Sequence, residues 1–137
     1  MTAAAGTDIV SVSRVSGLIS RGGTRFLERW FTADEIAYCN AKSQPSLHFA
    51  ARLAAKEAVF KVLHTSGEGP IPWRSIEITH DRLGAPDVRL SGSLLEAATS
   101  AGIGTIAVSL SHCDDYATSV AIAEREARST AEVVSSG

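Results

Sequence analysis

The stretch RLAAKEAVFK, Arg52 to Lys61, decides the reading of this chain. Its alanines and apolar residues recur at helical spacing, so it predicts the middle of a long helix from about Ser46 to His64. Placed at 3.6 residues per turn, Phe49, Leu53, Phe60 and Leu63 form an apolar stripe. Glu57 and Lys61 stand one turn apart at its edge, where an ordinary i,i+4 pair contributes a few tenths of a kcal/mol. Lys56 falls inside the stripe, a costly place for an ammonium unless it is paired or snorkels out. Such a helix needs a reason to carry charge where it is built for burial.

Outward from that helix, the chain alternates strand and helix signals. TDIVSVSRV reads as a first strand, and a helical stretch follows from about Ser13 to Ile19, interrupted at Arg21-Gly22-Gly23. Thr32 and Glu35 form a capping box that opens a second helix, and KSQPS is a turn. TSGEGPIP is the strongest loop signal. WRSIEITHD and APDVRLSG read as two strands joined by DRLGAP. SGSLLEAATSAG reads as a short helix with a capping box at Ser93 and Glu96 and a stop at Gly102. TIAVSLSHC and YATSVAIAE are two further strands around a tight turn at Asp114-Asp115. Helices mixed with a largely antiparallel sheet make the expected class α+β, with one domain over residues 1–125 and a frayed tail over 126–137.

Composition narrows the function. The 137 residues are 45% hydrophobic and 20% charged with a net charge of -2, so the molecule as a whole is not built to bind nucleic acid. No apolar run reaches membrane-spanning length, and the N-terminus lacks a signal-peptide pattern. Cys39 and Cys113 stand far apart with no CxxC, which predicts reduced thiols in a cytoplasmic protein and no structural zinc.

Three stretches together suggest chemistry. Asp8 interrupts an apolar strand in GTDIV, where aspartate is a poor strand residue and by itself marks an edge or a turn. His112 ends the strand SLSHC, where a lone histidine is more often structural. With the central helix they offer two carboxylates, two lysines, an arginine and a histidine. Carboxylate oxygens suit Mg²⁺, which completes its shell with water and phosphate oxygens. Lysine and arginine suit phosphates. The inventory fits chemistry on a phosphate ester.

GTDIV, RLAAKEAVFKVL, DRLGAP and VSLSHC occur here in the order and spacing of a known family. From Gly6 to Glu124 the chain resembles the holo-acyl-carrier-protein synthases, the short single-domain 4′-phosphopantetheinyl transferases. The resemblance implies transfer of the 4′-phosphopantetheine arm of coenzyme A to a serine of an acyl carrier protein, releasing adenosine 3′,5′-bisphosphate. It implies Asp8 and Glu57 as the ligands of a Mg²⁺ at the diphosphate, and Lys61 as the cation beside it. It implies Arg52 and His112 at the nucleotide, Gly84 and Pro86 in the loop against the adenine, and a homotrimer with sites between subunits. For Lys56 the expectation is a place near the phosphates or an internal pair. The family docks its carrier on the first helix, and here Arg14, Arg21, Arg25 and Arg29, with Leu18 and Phe26 beside them, supply a cationic face for an acidic partner. The serine belongs to the partner, which agrees with the lack of a Ser-His-Asp or Cys-His signature. The base that takes its proton is left open among Glu57, Asp8 through a bound water, and water alone.

Departures from the family pattern are Cys113 in place of a threonine, and HTSGEGPIPW, with Glu68, in place of a glycine-threonine-glycine loop. The rival readings are a Mg²⁺-dependent phosphodiesterase acting on coenzyme A or a nucleotide, and a non-catalytic coenzyme A-binding module. The natural carrier, whether of a fatty-acid, polyketide or peptide pathway, has no residue here that decides it.

Overall fold

The computed structural model describes residues 2–65 and 69–126. The tail expected over 126–137 and Glu68 fall almost wholly outside the described residues. The order is β1 (Thr2–Ser11), α1 (Val12–Trp30), α2 (Ala33–Asn40), α3 (Pro45–Leu63), a short 3-10 turn (Trp73–Ser75), β2 (Ile76–His80), β3 (Pro86–Leu90), α4 (Gly92–Ser100), β4 (Ile103–His112) and β5 (Tyr116–Arg125). This is the α+β class the sequence predicts. The strands form two antiparallel sheets rather than one: β1-β5-β4, and the β2-β3 hairpin.

The central helix is more deeply buried than a stripe would be. Phe49, Leu53 and Leu63 are buried as expected, but so are Ala50, Ala51, Ala54, Ala55, Ala58, Val59 and Val62. Alanines on most sides let neighbours close in from every direction, so α3 is the axis of the core. Phe60 is only partly buried and packs at the edge. The inner face of β5 is correspondingly small: Ala117, Ser119, Ala121 and Ala123 are all buried. Gly6 pairs with Ala121, and a Cβ there would collide with the carbonyl oxygen of Ala58 and press on Lys61 Cβ. This close crossing of β1 over α3 requires glycine and sets the next inward residue, Asp8, against the helix.

Boundaries differ from the sequence reading at both ends of β1. The strand starts at Thr2 because Ala3, Ala4 and Ala5 pair with β5, a tertiary gain that overrides their weak strand preference. It stops at Ser11, whose side chain caps α1 by accepting from the Arg14 amide. Helix α1 then runs on to Trp30 through a kink at Gly23 (φ 54, ψ -139) instead of stopping before it. The Thr32–Glu35 capping box forms as predicted. The Ser93–Glu96 box does not. Gly92, with φ 58, begins α4 two residues earlier, and Ser91 stands at the cap without a side-chain bond.

Candidate active site

Asp8, on the inward face of β1, and Glu57, on α3, turn their carboxyl groups toward one another, close enough for Asp8 to act on the Glu57 proton. Lys61, one turn beyond Glu57, donates to the Thr7 carbonyl at 2.8 Å and lies 3.6 Å from Asp8 Oδ1. More than half of its side chain is open to solvent (56%), so its ammonium is free to reach a ligand. Burial is the first cause that lifts the Glu57 carboxyl to about 7, and the neighbouring Asp8 adds to it. Lys61 and Arg14 pull the other way. Asp8 Oδ2 is buried with no hydrogen-bond partner.

A buried orphan acceptor beside a second carboxylate is an arrangement that a divalent cation completes. Among the described residues no group of three or more His, Cys, Asp or Glu side chains gathers to hold a metal. Two carboxylates fit a hard cation that keeps water and ligand oxygens in its other positions. Asp8 and Glu57 also floor a cleft of about 710 Å³ whose wall is α1, with Arg14, Leu18, Arg25, Phe26 and Arg29 along it. These arginines are exposed, as is Arg21, which lies outside the cleft lining.

The other predicted residues gather elsewhere. Arg52 is five positions before Glu57, which at 100° per residue turns it well away from the carboxylates. It is 3% exposed, lies 3.9 Å over the ring of Tyr38, and places Nη2 3.1 Å from His80 Nδ1. His80 pairs with Pro86 across the hairpin, so the loop carrying Gly84 (φ 86) stands at this second place. His112 joins it through His48, ring to ring at 5.8 Å. Within one chain the expected residues therefore form two groups: Asp8, Glu57 and Lys61 by the arginine-lined cleft, and Arg52, His112, Gly84 and Pro86 by Tyr38.

Lys56 belongs to neither: of the two places expected for it, it takes the internal pair and not the place near the phosphates. It is fully buried, 2.8 Å from Glu35 Oε1, and also donates to the carbonyls of Trp73 and Ile76. Burial pulls its proton affinity down and Glu35 draws it back up. Three acceptors around one nitrogen require the ammonium form. Glu35 in turn accepts from the amides of Thr32 and Ile78. The node ties α2 and β2 to α3. Its sequence signal was the capping-box glutamate, which satisfies the helix terminus and the lysine together. Tyr38, Lys42 and His80 carried no motif, and His48 carried only its position one turn before Arg52.

The 4′-phosphopantetheinyl transferase superfamily model matches residues 4–121, and the chain belongs to that superfamily. Within it the resemblance is to one kind of member. The chain is 47% identical over 120 residues to the holo-acyl-carrier-protein synthase of Moorella thermoacetica, covering 88% of this chain and 92% of that one. The solved holo-acyl-carrier-protein synthase of Neisseria meningitidis superposes with a TM-score of 0.80 at 33% identity, covering 89% and 98% of the two chains. That of Helicobacter pylori, solved in complex with coenzyme A, superposes with a TM-score of 0.76 at 30% identity, covering 88% and 99%.

Proposed function

We propose that this chain is a holo-acyl-carrier-protein synthase that moves 4′-phosphopantetheine from coenzyme A to a serine of an apo acyl carrier protein. The observation that carries the reading is the meeting of Asp8 and Glu57, with one buried oxygen unpartnered, at the floor of the arginine-walled cleft. These two carboxylates would hold Mg²⁺, which when bound supplies positive charge to the diphosphate and Lewis-acid polarisation of its phosphorus.

The carrier serine oxygen forms a bond to the phosphorus bearing the pantetheine arm. The bond from that phosphorus to the adenosine bisphosphate oxygen breaks, and the serine proton is released. The protein's share is positioning and charge compensation, since phosphoryl transfer asks for little covalent help. Lys61, anchored at Thr7 with its ammonium open to solvent, brings a cation to the diphosphate. Arg14, Arg21, Arg25 and Arg29 present an exposed cationic face to an acidic carrier, with Leu18 and Phe26 as its apolar contacts, and set the encounter rate more than the chemistry. A phosphodiesterase would have no use for that face.

The two groups of residues belong, in this reading, to neighbouring subunits of a homotrimer. Support comes from the outer face of the β1-β5-β4 sheet, where Ile9, Tyr116, Val120 and Ile122 are exposed in adjoining positions. Arg52, His112 and the Gly84–Pro86 loop of one subunit would then hold the nucleotide whose diphosphate lies at Asp8 and Glu57 of the next. A cytoplasmic location is supported by the free thiols of Cys39 and Cys113, and no helix of the described residues is long and apolar enough to cross a membrane.

The test is incubation with coenzyme A, Mg²⁺ and an apo carrier, read by mass spectrometry. The expected result is a carrier heavier by one phosphopantetheine, lost in Asp8→Ala. Consumption of coenzyme A with no carrier gain, across several carriers, would replace the transferase reading with the hydrolase.

A further inference from the structure

The group around Arg52 contains more basic side chains than the sequence reading assigned to it. Arg52 and His48 come from α3, Lys42 from the connection before it, His80 from β2 and His112 from β4. Tyr38 of α2 is the shared surface. His80 stacks on its ring at 4.6 Å, Lys42 Nζ lies 4.5 Å from the ring centre, and His48 meets it edge-on at 6.5 Å. Asp81 is the acidic side chain that acts on His80, and its Oδ1 already accepts from the Leu83 and Ala85 amides. On α2, the buried thiol of Cys39 also faces Arg52 and is pushed up to about 11 by burial, so it brings no negative charge at neutral pH.

Two details suit this group to an anion. Arg52 is 3% exposed, yet its Nε has no hydrogen-bond partner. Its Nη2 lies on His80 Nδ1, and since a guanidinium only donates, that nitrogen must be an acceptor and His80 must be neutral. Burial, then neighbouring cations, hold both His48 and His80 below the ordinary histidine range.

We propose that when coenzyme A places a phosphate in this nucleotide group, already part of the transferase reading, protons are taken up on His48 and His80, so that coenzyme A binds more tightly as the pH falls through neutrality. The inference rests on the transferase reading and adds a proton to its binding step. An incoming phosphate draws Arg52 N–H groups to its oxygens and releases His80 Nδ1. That nitrogen then takes a proton from solvent and becomes a donor. His48, faced by Lys42, Arg52, His112 and Tyr38, gains an opposite charge where it previously met cations and a ring.

Calorimetric titration of coenzyme A into the Mg²⁺-loaded protein, in buffers of different ionisation heat near about pH 7, counts the protons taken up. The phosphate of the ligand can exchange a proton itself, so wild type is compared with His48→Gln and His80→Gln. Wild type should take up more protons than either variant. Its Kd should fall on acidification from about pH 8 to about pH 6.5, by up to about tenfold per pH unit for each proton gained, with a flatter slope in the variants. Histidine side-chain NMR of the unsubstituted protein at about pH 7 reads the same step, as imidazolium signals of the two residues that rise on adding coenzyme A. Equal proton counts and slopes in all three proteins, each binding coenzyme A, would overturn the proposal and leave the transferase standing. Failure of wild type to bind coenzyme A at any pH would overturn both.

Discussion

Replacing Glu57 by glutamine should stabilise the metal-free protein in alkaline buffer, although it removes one of the two carboxylates proposed to hold Mg²⁺. Burial and the facing Asp8 hold the Glu57 carboxyl at about 7 against an ordinary 4.5. An acid raised in this way binds its proton more tightly in the folded than in the unfolded chain. Folding stability therefore declines as the pH climbs from about 4.5 to about 7, and the whole loss is present above that window. The rise corresponds to about 3.4 kcal/mol before screening. Glu57 is partly exposed, and solvent reduces this to about 1–2 kcal/mol. Glutamine keeps the shape, carries no charge and can donate its amide to Asp8. With divalent ions chelated at pH 8, Glu57→Gln should melt about 3–8 °C above wild type by circular dichroism. The gap should close as the pH approaches the ordinary carboxylate value. Added Mg²⁺ should raise the wild-type midpoint and leave the variant unmoved, because only a ligand that binds the folded state shifts it. A variant that melts at or below wild type at pH 8, or a gap that persists in acid, would refute the description of this site as two carboxylates held together at a cost.

Gly6→Ala forces a Cβ onto the Ala58 carbonyl and should cost about 1–3 kcal/mol and displace Asp8, so the melting temperature and transfer should fall together. Lys56→Met leaves the Glu35 carboxylate buried without its partner and should cost about 3–5 kcal/mol, partly restored in a double variant with Glu35→Gln. The same Lys56 variant, assayed where it is folded, should keep its coenzyme A KM; a raised KM without loss of stability would return Lys56 to the ligand. Arg14→Glu or Arg21→Glu should raise the KM for the carrier more than that for coenzyme A, most visibly at low salt, and equal effects on both would remove the docking role from α1.

What could be read in advance was whatever is local. The long helix around RLAAKEAVFK, the Thr32–Glu35 cap, the DRLGAP hairpin and the paired strands around Asp114-Asp115 all announce themselves within a few residues, because periodicity, caps and turns are short-range properties. The family motifs named the carboxylates and the cations without locating them. The sequence alone thus determined the class of fold and the kind of chemistry.

Tertiary packing decided the rest. The alanine run of β1 became strand only by pairing with β5, and the charge on Lys56 became tolerable only because Glu35 and two carbonyls meet it in the core. The angle between Arg52 and Glu57 on one helix becomes a separation of sites only when β1 packs on one side of α3 and Tyr38 and His80 on another. Which charges face one another, and hence which protons are held loosely or tightly, depends on distances between segments far apart in the chain. Such distances exist only after the small residues of α3 and β5 let the backbones approach.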